Sequence, residues 1–181
     1  RETIVNNTGD DQPQLGETTA AEGPCYYEGA YVDDVRAGVG KYIYPDGTTY
    51  EGDWKEGKAH GKGRYTSPGA SFEGEWEGNV KVRGTSKYTN GLIYVGELTP
   101  SGSFTGEGTL LFSNGDRYEG QWQDSVKNGA GTFTWVCKDV YKGQYVDGEQ
   151  SGNGEFVSTD GSLYDGSWAC NRRNGAGRWV G

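Results

Sequence analysis

The sequence predicts an all-β fold, namely an elongated, single-layer antiparallel meander of seven β-hairpin repeats with an irregular N-terminal tail. An aromatic-x-Gly-x-aromatic motif, with leucine once replacing the second ring, recurs every 22 to 24 residues. A Gly-x-Gly-x-apolar motif follows it about eleven residues later in six of the seven repeats. The chain contains 33 glycines, 13 tyrosines and 6 tryptophans, yet only 32% of its residues are hydrophobic. Because aliphatic core residues are scarce, large rings that lie over glycines must supply the buried surface.

The N-terminal tail, residues 1–26, is the first predicted element. It carries one basic and five acidic side chains and shows no hydrophobic periodicity. We therefore expect an extended polar segment outside the repeats. Since the chain starts at Arg1 and has no methionine, we also expect a processed targeting segment or a longer parent protein.

The repeat array, residues 27–181, opens each repeat with a strand. In the second repeat, Tyr50, Gly52 and Trp54 share one face of that strand, while Glu51 and Asp53 point to the other. One face of the predicted sheet is therefore tiled by rings and glycines, and the other is charged. The seven repeats start at Tyr27, Tyr50, Phe72, Tyr94, Tyr118, Tyr141 and Tyr164.

The second strand of each repeat carries the glycine-rich motif. In GKGRY, residues 61–65, Gly63 and Tyr65 join the ring face, while Lys62 and Arg64 point to the charged face. There we expect them to pair with acidic side chains of the preceding strand. Repeat three departs from this pattern, because its GTSKY at 84–88 places Ser86 where the second glycine belongs.

Short turn motifs separate the repeats. Gly combined with Asp, Asn or Pro is typical of tight turns between antiparallel strands. The junction after repeat five offers only VCKDV, residues 136–140, so we expect a looser connection there. The pattern predicts about fourteen short strands in one twisted layer. The turn motifs are PDG at 45–47, SPG at 67–69, TNG at 89–91, SNG at 113–115 and TDG at 159–161.

These units resemble MORN (membrane occupation and recognition nexus) repeats, whose pattern is a roughly 23-residue YEGxWxxGxxxGxGxxxxxxG unit. Repeat two, from Tyr50, is close to a consensus copy, and repeats three and four diverge most. The resemblance implies a meander of hairpins that acts as a protein-docking, dimerising or scaffold module, in some cases gripping a partner helix.

The stretch GKAHGKG, residues 57–63, does not predict chemistry. A phosphate-binding loop needs G-x-x-x-x-G-K-[ST] between a strand and a helix, and the sister repeats carry equivalent glycines. His60 is the only histidine and has no matching nucleophile nearby. Asp33, Asp34 and Asp46 lack the spacing of calcium-binding loops. We therefore expect no enzymatic activity, catalytic residue, metal or cofactor.

The ring face predicts a protein partner, because a single-layer sheet has no second layer to cover that face. We expect exposed rings to contact the partner, together with the tail. A helical peptide in the groove suits this geometry, and a sugar ligand is an alternative. The predicted partner-binding residues are Tyr50, Trp54, Trp76, Trp122, Tyr145 and Trp168.

A basic patch formed by Lys55, Lys58, Lys62 and Arg64 is the predicted lipid-contact site, since the family resemblance implies phosphoinositide binding. Interleaved acids such as Glu56 and the net charge of −9 make weak or no phospholipid binding the expectation. The same charge argues against nucleic acid. No apolar run reaches the about 18 residues of a transmembrane helix.

The sequence thus predicts a non-catalytic scaffold or accessory subunit that binds the other proteins of a large assembly. The resemblance favours the cytoplasm, at the cytoskeleton or axoneme. Two alternatives stay open: an accessory subunit of a mitochondrial or plastid membrane complex, and a peripheral phospholipid-binding module.

Overall fold

The computed structural model describes residues 24–181, which contain fourteen β-strands and no helix. Their contacts divide them into two compact units, one ending at Thr89 and one beginning at Asn90. Most of the predicted tail, residues 1–23, lies outside the described residues. None of residues 24–181 belongs to a helix that could cross a membrane.

The first unit contains the first three repeats, each a hairpin of two antiparallel strands. Each strand pairs with the next along the chain. The strands are β1 (Tyr26–Val32), β2 (Val35–Ile43), β3 (Thr49–Lys55), β4 (Lys58–Thr66), β5 (Ala70–Glu77) and β6 (Val80–Tyr88).

The second unit contains the remaining four repeats and follows the same antiparallel order. The predicted all-β, single-layer meander of hairpins is thus confirmed. The strands are β7 (Ile93–Leu98), β8 (Phe104–Leu111), β9 (Arg117–Gln123), β10 (Val126–Thr134), β11 (Val140–Val146), β12 (Glu149–Val157), β13 (Leu163–Ala169) and β14 (Arg172–Val180).

A β-bulge interrupts the hairpin of each repeat just after the paired glycines. In repeat two, Gly52 lies opposite Gly63, but the next residue, Asp53, lies opposite His60. The second strand therefore has two extra residues, so the alternation of its faces continues beyond the bulge. The Asp53 carboxylate accepts a 2.8 Å hydrogen bond from the bulged backbone N–H of Lys62.

Repeat three has a shorter bulge, and its predicted alignment is wrong. Gly84 lies opposite Gly74, so Gly84 is the second glycine of this repeat. Ser86 lies opposite Phe72, where the other repeats place an apolar side chain. One residue is missing from the bulge, and simple counting from the motif start could not detect it.

The turn after repeat five is as tight as its counterparts, contrary to the sequence-based expectation. The Trp135 N–H donates to the Asp139 carbonyl at 3.0 Å, and the Lys138 N–H donates to the Trp135 carbonyl at 2.8 Å. The turn at 44–48 has the same two bonds, with Gly47 in the place of Lys138. Lys138 adopts the left-handed conformation (φ 76°) that glycine supplies elsewhere.

The core is built from rings that lie over paired glycines. The Tyr50 ring covers Gly52 and Gly63, and its hydroxyl donates to the carbonyl of Asp53 at 2.9 Å. A Cβ atom added at Gly63 would collide with this ring. The glycines are therefore required by close approach of the tyrosine to the backbone.

Charge pairing differs from the prediction. Although Glu51 lies opposite Arg64, its ion pair within residues 24–181 is with Lys41 of the preceding strand, at 3.7 Å. Asp53 caps the bulge instead of pairing with the Lys62 side chain. The bulge places His60 rather than Lys62 opposite Asp53, which is why the predicted pair of Asp53 with Lys62 does not form.

Candidate functional site

We call the sheet face that carries Tyr50, Gly52 and Trp54, and the equivalent face in every repeat, the ring face. All six predicted partner-binding residues lie on it, but each is at most 8% exposed. The expectation that these rings are exposed is wrong. The Tyr50 ring contacts Trp54 at 5.1 Å and Trp76 at 5.0 Å between centroids, so neighbouring repeats bury one another's rings. A role in partner binding for Tyr50, Trp54, Trp76, Trp122, Tyr145 and Trp168 stays a prediction.

Indole hydrogen bonds explain why tryptophan suits the second ring position of the motif. Each of the four buried indoles donates its N–H to a glycine carbonyl of the preceding repeat, at 2.9 to 3.1 Å. These residues therefore join one repeat to the next rather than present a surface. The pairs are Trp54 with Gly40, Trp76 with Gly63, Trp122 with Gly108 and Trp168 with Gly154.

A second set of rings on the same face is more accessible, and we call it the outer ring row. Its members end the glycine-rich motif or lie two residues further on. Phe133 contacts Phe112 at 5.8 Å and Trp135 at 4.7 Å, and Trp135 contacts Phe156 at 5.8 Å. The row consists of Tyr42, Tyr44 and Tyr65 in the first unit, and Phe112, Phe133, Trp135, Phe156 and Trp179 in the second. All are half-buried except Trp179, which is exposed.

Four basic side chains, the ring-face cations, lie among these rings. Lys127 Nζ lies 5.0 Å from the Tyr145 ring centroid and 5.1 Å from that of Phe133, within range of cation–π attraction. Burial lowers the pKa of the Lys81 and Lys127 amines. The ring-face cations are Arg36, Lys81, Lys127 and Arg173.

The ring face carries no acidic side chain from the described strands. Because strand residues alternate between faces, each strand carboxylate points to the opposite face from the rings. Those acids are Glu28, Glu51, Asp53, Glu73, Glu75, Glu77, Glu97, Glu107, Glu119, Glu149, Glu155 and Asp165. Although the whole chain has a net charge of −9, the strand residues on its ring face include basic side chains and no acidic ones.

Sequence reasoning missed both the outer ring row and the ring-face cations. The cations recur at intervals of 45 or 46 residues, in alternate repeats, which is a readable signal. The basic side chain is absent from repeat two, the consensus copy, where Ala59 occupies the position opposite Trp54. In repeat six, Gln150 takes it, opposite Tyr145.

The predicted lipid-contact residues Lys55, Lys58, Lys62 and Arg64 are all exposed. The register places Lys62 opposite Glu75, and Arg64 opposite both Glu51 and Glu73. The carboxylates weaken the positive potential of this patch. Lipid contact there stays a prediction.

The described residues contain no cluster of side chains suited to binding a metal ion. No three His, Cys, Asp or Glu side chains in the range 24–181 converge as metal ligands. His60 lies opposite Asp53 beside the bulge of repeat two. Cys137 and Cys170 are exposed free thiols.

The family model of the MORN repeat matches seven segments, at residues 27–49, 50–69, 72–93, 101–117, 118–136, 141–163 and 164–181. The chain belongs to the MORN repeat family. The matches confirm the predicted resemblance, and six of the seven begin at the predicted motif starts, the fourth beginning at 101 rather than at Tyr94.

Among curated proteins, this MORN array is similar to Alsin of Mus musculus and of Homo sapiens, at 32% identity over 123 residues in each case. The match covers 58% of the chain and 7% of Alsin, so the chain spans a small part of these relatives. Among solved structures, the SAS-4 (dCPAP) TCP domain of Drosophila melanogaster resembles it in fold. The TM-score is 0.52 at 16% identity, with 94% of this chain and 98% of that chain covered.

Proposed function

We propose that this MORN array is a non-catalytic protein-binding module that holds partners on its ring face within a larger assembly. The observation that carries the proposal is the outer ring row, a series of half-buried rings that the described strands do not cover with a second layer. Rows of accessible aromatic side chains are typical of binding surfaces.

The spacing of the outer ring row favours an elongated partner. Successive repeats are two strands apart, so equivalent rings recur at intervals of about 10 Å. Within one unit, an extended or helical segment that crosses the strands meets a ring at each repeat. The solved TCP domain gives an analogy, since it was determined in complex with a proline-rich motif of Ana2 (dSTIL).

The proposed assembly is cytoskeletal or axonemal, with the array in the cytoplasm. A role as accessory subunit of a mitochondrial or plastid membrane complex is the alternative assembly. Cross-linking mass spectrometry on the native complex separates the two by the identity of the cross-linked proteins. Links to cytoskeletal or flagellar proteins support the first, and links to organellar membrane subunits support the second.

The test of the binding face uses the full chain with Phe133→Ser or Trp135→Ser as bait in its native cells. We expect each variant to lose cross-linked partners that the unchanged chain retains. Val95→Ser is the matched control, because Val95 is 48% exposed on the face opposite the rings. If both ring variants remain folded and retain every partner, the proposed binding face is wrong.

Peripheral phospholipid binding is a second candidate function, favoured by the four exposed basic side chains of one hairpin, β3–β4. Co-sedimentation with phosphoinositide-containing vesicles that is lost in Lys58→Gln and Lys62→Gln supports it. Co-sedimentation that is absent, or unchanged in these variants, argues against it.

A further inference from the structure

The chemistry of the partner can be inferred from the ring-face cations of residues 90–181. Lys127 lies on β10, opposite Trp122 of β9. Arg173 lies at the equivalent place on β14, opposite Trp168 of β13. Both are seated among rings: the Arg173 guanidinium carbon is 4.5 Å from the Trp179 ring centroid and 4.9 Å from that of Tyr164. No carboxylate within residues 24–181 forms an ion pair with either side chain.

This arrangement leaves two positive charges, a half-buried one at Lys127 and an exposed one at Arg173, without a negative one. The rings attract the cations, but a neutral ring does not neutralise a charge. The acids of the surrounding strands cannot do so, since Glu119, Glu149, Glu155 and Asp165 point to the opposite face. A carboxylate that arrives on the ring face therefore meets complementary charge beside apolar rings.

The distance between the cations sets the shape of the ligand. From β10 to β14 are four strand-to-strand steps of about 4.8 Å, or about 19 Å along the sheet. An extended chain covers that distance in about six residues, whether it is a β-strand or a polyproline helix. In both forms, residues six apart point to the same side. An α-helix needs about 13 residues, which turns the two side chains to opposite sides.

We propose that the ring face of the second unit binds an extended acidic segment of a partner protein, with carboxylates about six residues apart contacting Lys127 and Arg173. This proposal rests on the protein-binding function and adds the charge and spacing of the bound segment. The ring of Phe156, on β12 between β10 and β14, contacts the residues between the carboxylates, together with the rings of Phe133 and Trp135 at and just beyond the end of β10.

The test measures fluorescence anisotropy of labelled synthetic peptides with the full chain. The probe has two glutamates about six residues apart, separated by a proline-rich neutral spacer. Matched peptides carry the glutamates about three residues apart, or replace both by glutamine or by lysine. We expect the six-residue peptide to bind at least about tenfold more tightly than each of the others.

The matched protein variants are Lys127→Gln and Arg173→Gln, with Lys142→Gln as control. Repeat six already has Gln150 at the equivalent position, so glutamine is compatible with the fold there. Lys142 lies on β11, but on the opposite face. Lys127→Gln and Arg173→Gln should each weaken binding of the six-residue peptide about tenfold. Lys142→Gln should leave the affinity within about twofold of the original, and Lys127→Arg, which keeps the charge, should retain binding.

Several outcomes overturn the proposal. Equal losses in Lys142→Gln and Lys127→Gln would mean that only net charge matters. Equal binding of the glutamate and glutamine peptides would mean that the surface recognises apolar groups alone. If no peptide binds, but captured partners still depend on Phe133 and Trp135, the acidic segment is wrong and the protein-binding function stands. If no peptide binds because a second copy of this chain occupies the face, the face is a dimer interface and the acidic segment is wrong.

Discussion

The indole N–H of Trp122 donates a 3.1 Å hydrogen bond to the carbonyl oxygen of Gly108, and so joins repeat five to repeat four. In repeat six the equivalent position holds Tyr145, which is 2% exposed. Its hydroxyl lies near the Gln150 side chain, but no hydrogen bond of ordinary geometry reaches it within the described residues. A buried hydroxyl without a partner lowers stability, because it loses its bonds to water.

Replacing Tyr145 by tryptophan should stabilise the array. The new indole can reach the carbonyl of Gly131, as Trp122 and Trp168 reach theirs in the neighbouring repeats. We expect the free energy of unfolding to rise by about 1 kcal/mol, measured by urea denaturation. Trp122→Tyr is the reciprocal control and should lower stability. A Tyr145→Trp chain that is less stable than the original would contradict the role assigned to the indole bond.

Substituting Gly63 by alanine should destabilise the fold. The added Cβ would collide with the Tyr50 ring, which cannot move because it is buried between Trp54 and Trp76. We expect a loss of about 2 to 3 kcal/mol. Gly69→Ala is the control, since a Cβ there meets no atom within 4 Å and the backbone needs no left-handed conformation. Equal effects of the two changes would show that ring-over-glycine packing does not set the glycine positions.

Lys138→Gly should stabilise the turn at 135–139. Lys138 adopts a left-handed conformation (φ 76°), which costs a residue with a side chain about 1 kcal/mol or more relative to glycine. The rise in the urea midpoint measures the gain. The reverse change, Gly161→Lys, should cost a similar amount in the equivalent turn, where φ is 90° and no atom lies near the added Cβ. A fall in stability on Lys138→Gly would mean that the lysine side chain makes a compensating contact.

Alkaline pH should unfold the array. Burial raises the pKa of Tyr118 and of Tyr141 to about 12, from an ordinary value of about 10. The unfolded chain therefore releases these protons first. The contribution of these two tyrosines to the free energy of unfolding is fully present below about pH 10 and is lost as the pH rises towards about 12. Urea midpoints at about pH 9 and about pH 11 measure this loss.

Tyr118→Phe provides the control for the pH effect. It removes the 3.0 Å hydrogen bond to the carbonyl of Gln121 and should lower stability at neutral pH. It also removes one raised pKa, so the loss between the two alkaline values should be smaller than in the unchanged chain. An identical loss in both chains would exclude Tyr118 as a source of the alkaline unfolding.

The repeat period and the strands were predictable because they rest on local patterns. Tyr50, Gly52 and Trp54 alternate with Glu51 and Asp53, and this two-residue period fixes the strand and its two faces. The turn at 135–139 was not predictable, because Lys138 adopts a conformation that its residue type disfavours. A contact with the neighbouring turn supports this conformation, since the Asp139 side chain accepts a hydrogen bond from the Thr159 N–H at 2.9 Å.

The sequence by itself determined the family, the number of hairpins and the separation of rings from strand carboxylates, since each follows from residue order along one strand. The tertiary structure decided which rings are accessible. Trp54 and Trp76 are buried by rings of adjacent repeats, whereas Phe133 and Trp135 are only partly covered, and burial depends on neighbours that a linear pattern does not specify. It also placed Lys127 beside Tyr145 and Arg173 beside Tyr164, because these contacts join residues of different strands.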